Sequence, residues 1–491
     1  MTTRFLSCAA VVWLCLTSAA PLARAANILA PPPNVIFILA DDLGWTDLGC
    51  YGSKYYETPN VDRLCAEGVK FTSAYTCGPN CQPTRAALMS GQYGPRTGIY
   101  TVGSTDRFDT SRRPLVPVPN AVQLAPETVT LAEMFKAAGY TTAMFGKWHL
   151  GEDEDHGPRA QGFDEALVTM GKHFKFKTQP PVDVPPDTYL ADFLTDRALD
   201  FIERSYKNRD EGKAGPFFLY LPHFGVHSPH DAKPELIARF KDKPAVGGHH
   251  SPVYAAMIAS LDESVGRIMK KLDELGAADD TIVIFTSDNG GVGGYGREGI
   301  GKAGDITDNA PLRGGKGMLY EGGVRVPFIL HWPKERKPKV LDVPIITVDV
   351  YASFVEMLAY PLANWNEKPR NLDGGFVLCC DDEHDLDPNC QKFYERPLFW
   401  HFPGYLGAGA DTWRTTPAGA IRKGDYKLIE FFEDGRLELY DLKNDLSQRH
   451  DLAAEKPELT KQLHAELVAW RERVGAPMPQ RRSDYYIAPK P

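Results

Sequence analysis

A cysteine, a proline, an arginine and a short helix-forming run sit together in residues 77–98, CGPNCQPTRAALMSGQYGPRTG. Cys81 is followed by Pro83, Thr84 and Arg85, and four residues later by Ser90 and Gly91. Pro83 fixes one backbone torsion and disfavours helix at Gln82. Residues 84–89 are good helix material, and Gly91 suits a C-cap. The spacing predicts that Cys81 lies just before a helix N-terminus, where amide donors and the helix dipole favour negative charge. Arg85, one turn on, can point back at residue 81. Taken alone, the stretch also fits a buried or disulfide-bonded cysteine at a helix start.

The other residues able to do chemistry stand at the ends of apolar runs. Residues 34–40 (NVIFILA) read as a strand buried on both faces of a parallel sheet. That run ends in Asp41 and Asp42, two adjacent carboxylates that packing cannot both satisfy. Ligand sites of open α/β sheets lie at this strand end, and a hard divalent cation with oxygen ligands is the natural neutraliser. Residues 140–145 form a second strand and lead into Gly146-Lys147-Trp148-His149. Lys147 is a compact cation able to hold an anionic oxygen. On an extended segment His149 points the same way and could exchange protons with a group bound there. The strand 216–221 leads to His223, His227 and His230, three histidines in eight residues that suggest chemistry or a metal. The strand 280–286 ends in Ser287-Asp288-Asn289, which brings two more oxygen ligands to the sheet edge of Asp41 and Asp42.

Those strands need a scaffold. At 491 residues the chain exceeds one typical core, so two domains, or one large one with an appendage, are expected. Strands alternate with helices through residue 360, the α/β pattern. Thr58 caps a short helix, Thr130 and Glu133 form a capping box, and residues 189–204, 254–275 and 350–360 read as helices. Residues 290–304 are a glycine-rich loop. Residues 361–397 are irregular, acidic and cysteine-bearing, a crossing between domains. Beyond them come short strands at 398–402, 419–422, 426–431 and 437–441, an antiparallel pattern, and a helix at 457–474 that should pack on them.

A net charge of -9 argues against a nucleic-acid partner. Residues 1–25 read as a cleaved secretory signal, with Arg4 at the start, an apolar run, and Ala23-Arg24-Ala25 as the cleavage site. The run is short for a membrane anchor, and no second candidate span follows. The implied compartment is periplasmic or extracellular, or lysosomal in a eukaryote. Seven of nine cysteines lie beyond Ala25. With Cys81 set aside, six remain that could pair under oxidising conditions, and Cys379 with Cys390 could close a local loop.

The segment around Cys81-x-Pro83-x-Arg85 resembles the modification motif of the sulfatase family, the formylglycine-dependent type I, arylsulfatase-like branch of the alkaline phosphatase superfamily. Residues 139–149 and 312–327 resemble two further blocks of that family, and the motifs follow its order from Asn34 to the last helix. Two departures stand out: Thr84 where serine is commoner, and Gln82 where a small residue is usual. The resemblance implies a large mixed β-sheet between helices, like alkaline phosphatase, with a small C-terminal subdomain of antiparallel sheet plus helix. The division is then a signal peptide at 1–25, a catalytic domain at 26–390 and the subdomain at 391–491.

It also implies roles. A maturation enzyme oxidises Cys81 to formylglycine (3-oxoalanine), whose hydrate attacks sulfur. Asp41, Asp42, Asp288, Asn289 and residue 81 hold a cation, Ca2+ first and Mg2+ second given the oxygen ligands. Arg85 supports the alkoxide, and Lys147 and Lys316 hold sulfate oxygens. His227, matching the family's substrate-side histidine, protonates the leaving oxygen, with His223 and His230 as runners-up. His149 is the base that takes the remaining hydroxyl proton. Arg313, Glu321 and Arg325 are structural by default. The expected substrate is a sulfated carbohydrate, with an aryl sulfate second. The basic cluster Lys172, His173, Lys175 and Lys177 is either an anion-facing loop or simply solvated. Two other readings remain open: a phosphatase, phosphodiesterase or phosphonate hydrolase on the same fold, and an unconverted carbohydrate-binding relative.

Overall fold

The structure, a computed structural model, describes residues 32–105, 113–300, 305–334, 336–358, 362, 371–376, 388–409 and 412–483. The expected signal segment, Cys379, Cys380 and the side chain of Cys390 lie outside the described residues. Residues Pro33–Pro491 form one unit by their internal contacts.

Its centre is a mixed sheet whose strand order is Ile345–Ile346, Val69–Tyr75, Arg325–His331, Thr281–Ser287, Asn34–Ala40, Phe217–Pro222, Thr141–Gly146, Glu165–Val168, with Lys339–Leu341 also pairing with Val69–Tyr75. Asn34–Ala40 runs parallel between Phe217–Pro222 and Thr281–Ser287. Arg325–His331 is antiparallel to both of its neighbours. Period-two alternation makes the central strand serve two cores. Ile36 and Ile38 pack with the helices Pro59–Glu67, Leu190–Asp210 and Pro252–Leu275. Val35, Phe37 and Leu39 pack with Cys81–Ser90, Leu131–Ala137 and Val348–Met357 on the other face. Every residue of Asn34–Ala40 is buried, which explains its continuous apolar run.

Two expected helix starts differ in detail. The helix carrying residue 81 begins at Cys81 itself, with Asn80 as N-cap, rather than after it. Pro83 is tolerated there because a first-turn residue has no intrahelical use for its amide hydrogen. Gly91 closes the helix with φ +67° and donates its N–H to Ala87 O, as expected. Thr58 does not cap its helix through the hydroxyl. Asp262, from a distant helix, accepts from the amides of Asn60 and Val61 at 2.8–3.2 Å instead. The capping box of Thr130 and Glu133 forms as expected.

The C-terminal part is a four-stranded antiparallel sheet, Leu398–Phe402, Ala418–Lys423, Tyr426–Phe431 and Leu437–Asp441 in chain order. The helix Pro457–Val474 covers it with Leu463, Leu467 and Trp470, and Trp470 stacks on Phe399 at 4.6 Å between ring centres. Elements not anticipated are the helix Pro388–Glu395, the hairpin Leu406–Gly409 with Thr412–Thr415, and the pairing of Gln480–Arg481 with Leu115–Val116.

A buried ion network joins this sheet to the main one. Glu321 accepts from Lys427 at 2.8 Å, Arg325 at 3.2 Å and the Tyr75 hydroxyl at 2.7 Å, and Arg422 donates to that hydroxyl at 2.8 Å. Burial alone would raise the Glu321 pKa, but Lys427, Arg325 and Arg422 outweigh it and hold it at about 2. Burial pushes Lys427 the other way, down, against the pull of Glu321. With several donors converging on Glu321, the charged pair is the state the geometry supports.

Glu321→Gln should therefore destabilise the fold by roughly 3 kcal/mol, the usual scale for breaking a buried pair. A depressed carboxylate contributes stability above its unfolded pKa and loses it as pH falls toward the folded value. Denaturant titrations should show this loss between the ordinary 4.5 and about 2 in the parent chain. The variant should show a flatter acid limb, and identical pH profiles would contradict the assignment.

Candidate active site

Five loops at the carboxyl edge of the sheet bring the chemistry together. Asp41 and Asp42 follow Asn34–Ala40, and Asp288 and Asn289 follow Thr281–Ser287. The loops are stitched by backbone: Asp288 N–H donates to Ala40 O at 3.1 Å, Asp41 N–H to Gly225 O at 2.9 Å, and Val226 N–H to Asp41 O at 2.7 Å. Lys147 follows Thr141–Gly146 and is held by its N–H to Pro222 O at 2.8 Å. Gly146 is required for this approach, since its φ is +132° and a Cβ would sit 2.0 Å from Pro222 O. Lys316 N–H donates to Gly291 O at 3.0 Å. Asn309 Nδ2 bridges the carbonyls of Gly291, Gly293 and Gly314 at 3.0–3.1 Å, which fixes the Lys316 loop on the Asp288 loop.

The side chains form a ring of alternating charge. Lys147 Nζ lies 2.6 Å from Asp41 Oδ2, and Lys316 Nζ lies 2.7 and 2.8 Å from the two Asp42 oxygens. Arg85 donates from Nε and Nη2 to Asp288 Oδ2 at 3.0 and 2.7 Å, and from Nη1 to Lys147 O at 2.6 Å. Cys81 Sγ sits inside the ring, 3.4 Å from Asp41 Oδ1 and 3.9 Å from Asp42 Oδ1. Asp41, Asp42, Cys81, Arg85, Lys147, Asp288 and Asn289 are all buried, and Lys316 nearly so. Asp42 adopts φ +68°, a left-handed conformation uncommon for a residue other than glycine.

The field inside this ring sets protonation. Burial would raise Asp41 and Asp42, but Lys147 and Lys316 respectively, with His227 acting on both, hold them below the ordinary carboxylate range. Asp288 is pushed up to about 6, by burial first and then by Asp41, against Arg85 and Lys147. Burial, Asp288 and Asp41 push the Cys81 thiol well above its ordinary value, so the thiolate is disfavoured. Burial, then Lys147 and Arg85, pull His149 down to about 2, which leaves a neutral imidazole.

The histidines separate by environment. His149 is not on an extended segment as expected: it has φ +65°, and its Nδ1 is buried without a hydrogen-bond partner. Among the described residues it makes no hydrogen bond to Cys81. His227 is a quarter exposed, with Nε2 3.7 Å from Asp42 Oδ2 and Nδ1 2.6 Å from Ser228 O. A carbonyl only accepts, so Nδ1 carries a proton and Nε2 is free to exchange one on the open side. His223 is fully buried against Ser264 Oγ at 3.2 Å and drops to about 4 by burial, a packing role. His230 packs edge-on against Tyr254. His173 was grouped with three lysines in the sequence, yet it is buried and its Nε2 donates to His227 O at 2.8 Å. It therefore holds the His227 loop, while Lys172, Lys175 and Lys177 are exposed. Neither His173 nor Asn309 carried a periodic signal for these roles, because His173 acts on a carbonyl 54 residues on and Asn309 on three single carbonyls 5 to 18 residues away.

The donors fit a hard cation. Ligand atoms of Asp41, Asp42, Cys81 and His227 lie within 4.8 Å of one another. Asn289 donates its Nδ2 to Asp42 Oδ1 at 2.8 Å, which leaves its buried Oδ1 without a partner. Asp42 N–H also meets Asp288 Oδ1 at 3.2 Å. Carboxylate and amide oxygens suit Ca2+ or Mg2+.

Comparison with known proteins bears on the same residues. The sulfatase family model matches residues 33–360, and that of the N-sulphoglucosamine sulphohydrolase C-terminal region matches 315–473. A protein of Formosa agariphila described as a sulfatase is 35% identical, covering 91% of this chain and 90% of its own. The N-acetylgalactosamine-6-O-sulfatase of Bacteroides thetaiotaomicron is 30% identical, covering 88% and 91%. The solved structure of Ps i-CgsB in complex with k-i-k-neocarrahexaose superposes with a TM-score of 0.71 at 27% identity, covering 89% of this chain and 92% of that one.

Calcium added to chelator-treated protein should raise its thermal stability more than zinc does. The gain should be about 2.7 kcal/mol at a hundredfold excess over Kd. Asp288→Asn should remove most of that gain. Equal melting in chelator and in calcium, with no metal by elemental analysis, would contradict a cation at this site.

Proposed function

The chain belongs to the sulfatase family of the alkaline phosphatase superfamily, and from that premise we propose that it is an exported enzyme that removes sulfate from a sulfated carbohydrate. It is a sulfuric ester hydrolase; the carbohydrate, the cation, the modified residue 81 and the roles below are our reading. Aryl sulfates are the second substrate class. The observation that carries the reading is the ring itself: three carboxylates and three cations closed around one small side chain at a sheet edge. Relatives named for N-acetylgalactosamine 6-sulfate and a neighbour bound to a neocarrahexaose support a sugar as the ester's alcohol. Among the described residues no helix is long and apolar enough to cross a membrane.

Calcium, held by Asp41, Asp42, Asp288, Asn289 and residue 81, would act as Lewis acid and template. A thiol kept protonated is a poor nucleophile, so residue 81 is read as formylglycine made from Cys81 by a maturation enzyme. Its hydrate brings a neutral hydroxyl to a site where a thiolate is opposed. Lys147 and Lys316 converge from two loops, and their ammonium groups can turn from carboxylate to sulfate oxygens as charge develops. Arg85, anchored on Asp288 and Lys147 O, adds fixed positive charge beside residue 81. His227, open to solvent on one side, protonates the leaving oxygen through Nε2. His149, neutral and buried, would accept the proton of the hydrate's second hydroxyl, the aldehyde carbonyl re-forming as the carbon–oxygen bond to sulfate breaks and sulfate leaves.

Lys147→Ala and Lys316→Ala should each lower kcat/KM by a hundredfold or more, since losing one preorganised contact typically costs on the order of 3 kcal/mol of barrier. His227→Ala should harm a sugar sulfate more than an activated aryl sulfate, whose leaving group needs little protonation. Equal losses on both would remove His227 from the acid role. Faster turnover of aryl phosphate than of aryl sulfate by the parent chain would overturn the substrate class.

A further inference from the structure

A cavity of about 270 Å3 lies between the loop that carries Lys316 and the C-terminal sheet. That is near the lower end of the roughly 300–1,000 Å3 typical of small-molecule sites. Its walls include Met318, Leu319 and Tyr320 on one side and Trp413, Arg414 and Phe431 on the other. The first wall begins two residues after Lys316. The second comes from the hairpin strand Thr412–Thr415 and the C-terminal sheet.

Four charged residues line this cavity: Glu298, Arg414, Glu433 and Arg436. Three are committed. Glu298 is paired with Arg313 at 2.9 Å, Glu433 accepts from the Tyr405 hydroxyl at 2.7 Å, and Arg436 is paired with Glu438. Arg414 differs. Among the described residues it forms no ion pair, and its Nε is buried without a hydrogen-bond partner. Its guanidinium lies over the Tyr295 ring at 4.3 Å, and Tyr295 donates its hydroxyl to Lys316 O at 2.8 Å. The Arg414 side chain also crosses Gly317, where an added Cβ would meet its Cδ at 3.1 Å. A free planar fork of donors, held flat beside the Lys316 loop, matches a carboxylate or sulfate in a bidentate arrangement.

We propose that this cavity is an anion-recognising sugar subsite, in which Arg414 binds a second negative group on a sugar adjoining the one that loses sulfate. This rests on the sulfatase reading and deepens it: the substrate is a carbohydrate with at least two anionic groups. The second group is either a uronate carboxylate or a further sulfate. Arg414 touches the substrate but none of the reacting atoms.

The test is calorimetric binding to the full chain carrying Cys81→Ala, with and without Arg414→Ala. Three probes separate the sources: a tetrasaccharide whose sulfated sugar adjoins a uronate, an oligosaccharide whose neighbouring sugar carries a second sulfate, and N-acetylgalactosamine 6-sulfate. Arg414→Ala should weaken one of the first two by about 10- to 100-fold, the scale of a charged hydrogen bond, and the monosaccharide far less. The probe that responds identifies the group. Arg414→Lys should recover part of the loss, since it keeps the charge without the fork. Equal weakening of all three probes, weakening of none, or no binding of either doubly charged probe would overturn the proposal. Sulfate release by the otherwise unaltered chain is measured separately. Arg414-dependent binding without release from any ester would leave the subsite standing and remove the sulfatase reading.

Discussion

Three carboxylates buried at one sheet edge cannot coexist unless positive charge is built around them. Two unit charges 4 Å apart interact by about 4 kcal/mol even at an effective dielectric of 20. Asp41, Asp42 and Asp288 meet this with Arg85, Lys147 and Lys316, each drawn from a different element. Much of the surrounding fold reads as a means of delivering those six groups. The central parallel strands carry the acids, the helix Cys81–Ser90 carries Arg85, and the glycine-rich loops bring Lys316 close. Gly290 shows how tight the delivery is, since a Cβ there would lie 1.8 Å from Gly322 O.

The same field decides what each remaining group can do. It raises the Cys81 thiol, so an unmodified cysteine is disarmed in this position. It lowers His149 far enough that the imidazole stays neutral, and the negative charge of a bound sulfate would be needed to restore the basicity of a proton acceptor. His227 stands at the rim, where an exchanging proton can be replaced from solvent. Under the proposed reading, a divalent cation sharing those carboxylates would leave the positive charge of Lys147 and Lys316 available to an anionic ester. The proposed acid, base and anion-binding roles are thus assigned by position relative to one charged ring.

Much of this was readable from residue order because the decisive groups sit at the ends of unmistakable strands. Asn34–Ala40 and Thr281–Ser287 announce themselves as continuous apolar runs, and the pairs Asp41-Asp42 and Asp288-Asn289 stand immediately after them. The C-terminal sheet and the helix Pro457–Val474 were equally plain in their periodicity. What escaped was the long-range polar work. Asp262 caps a helix some 200 residues away, His173 holds the His227 carbonyl, and Asn309 ties three glycine carbonyls together. Such contacts leave no periodic trace, since one side chain meets one backbone atom. Local rules also misplaced the helix start at Cys81 and the backbone at His149, where tertiary contacts override propensity.

Residue 81 is where the account is most exposed, because the encoded thiol is ill suited to the field that surrounds it. Peptide mass spectrometry of active protein, read alongside specific activity across preparations, tests this directly. Residue 81 should be found without its sulfur, as the aldehyde or its hydrate, and activity should rise in proportion to the converted fraction. Fully active protein in which residue 81 is an unmodified cysteine would contradict the account.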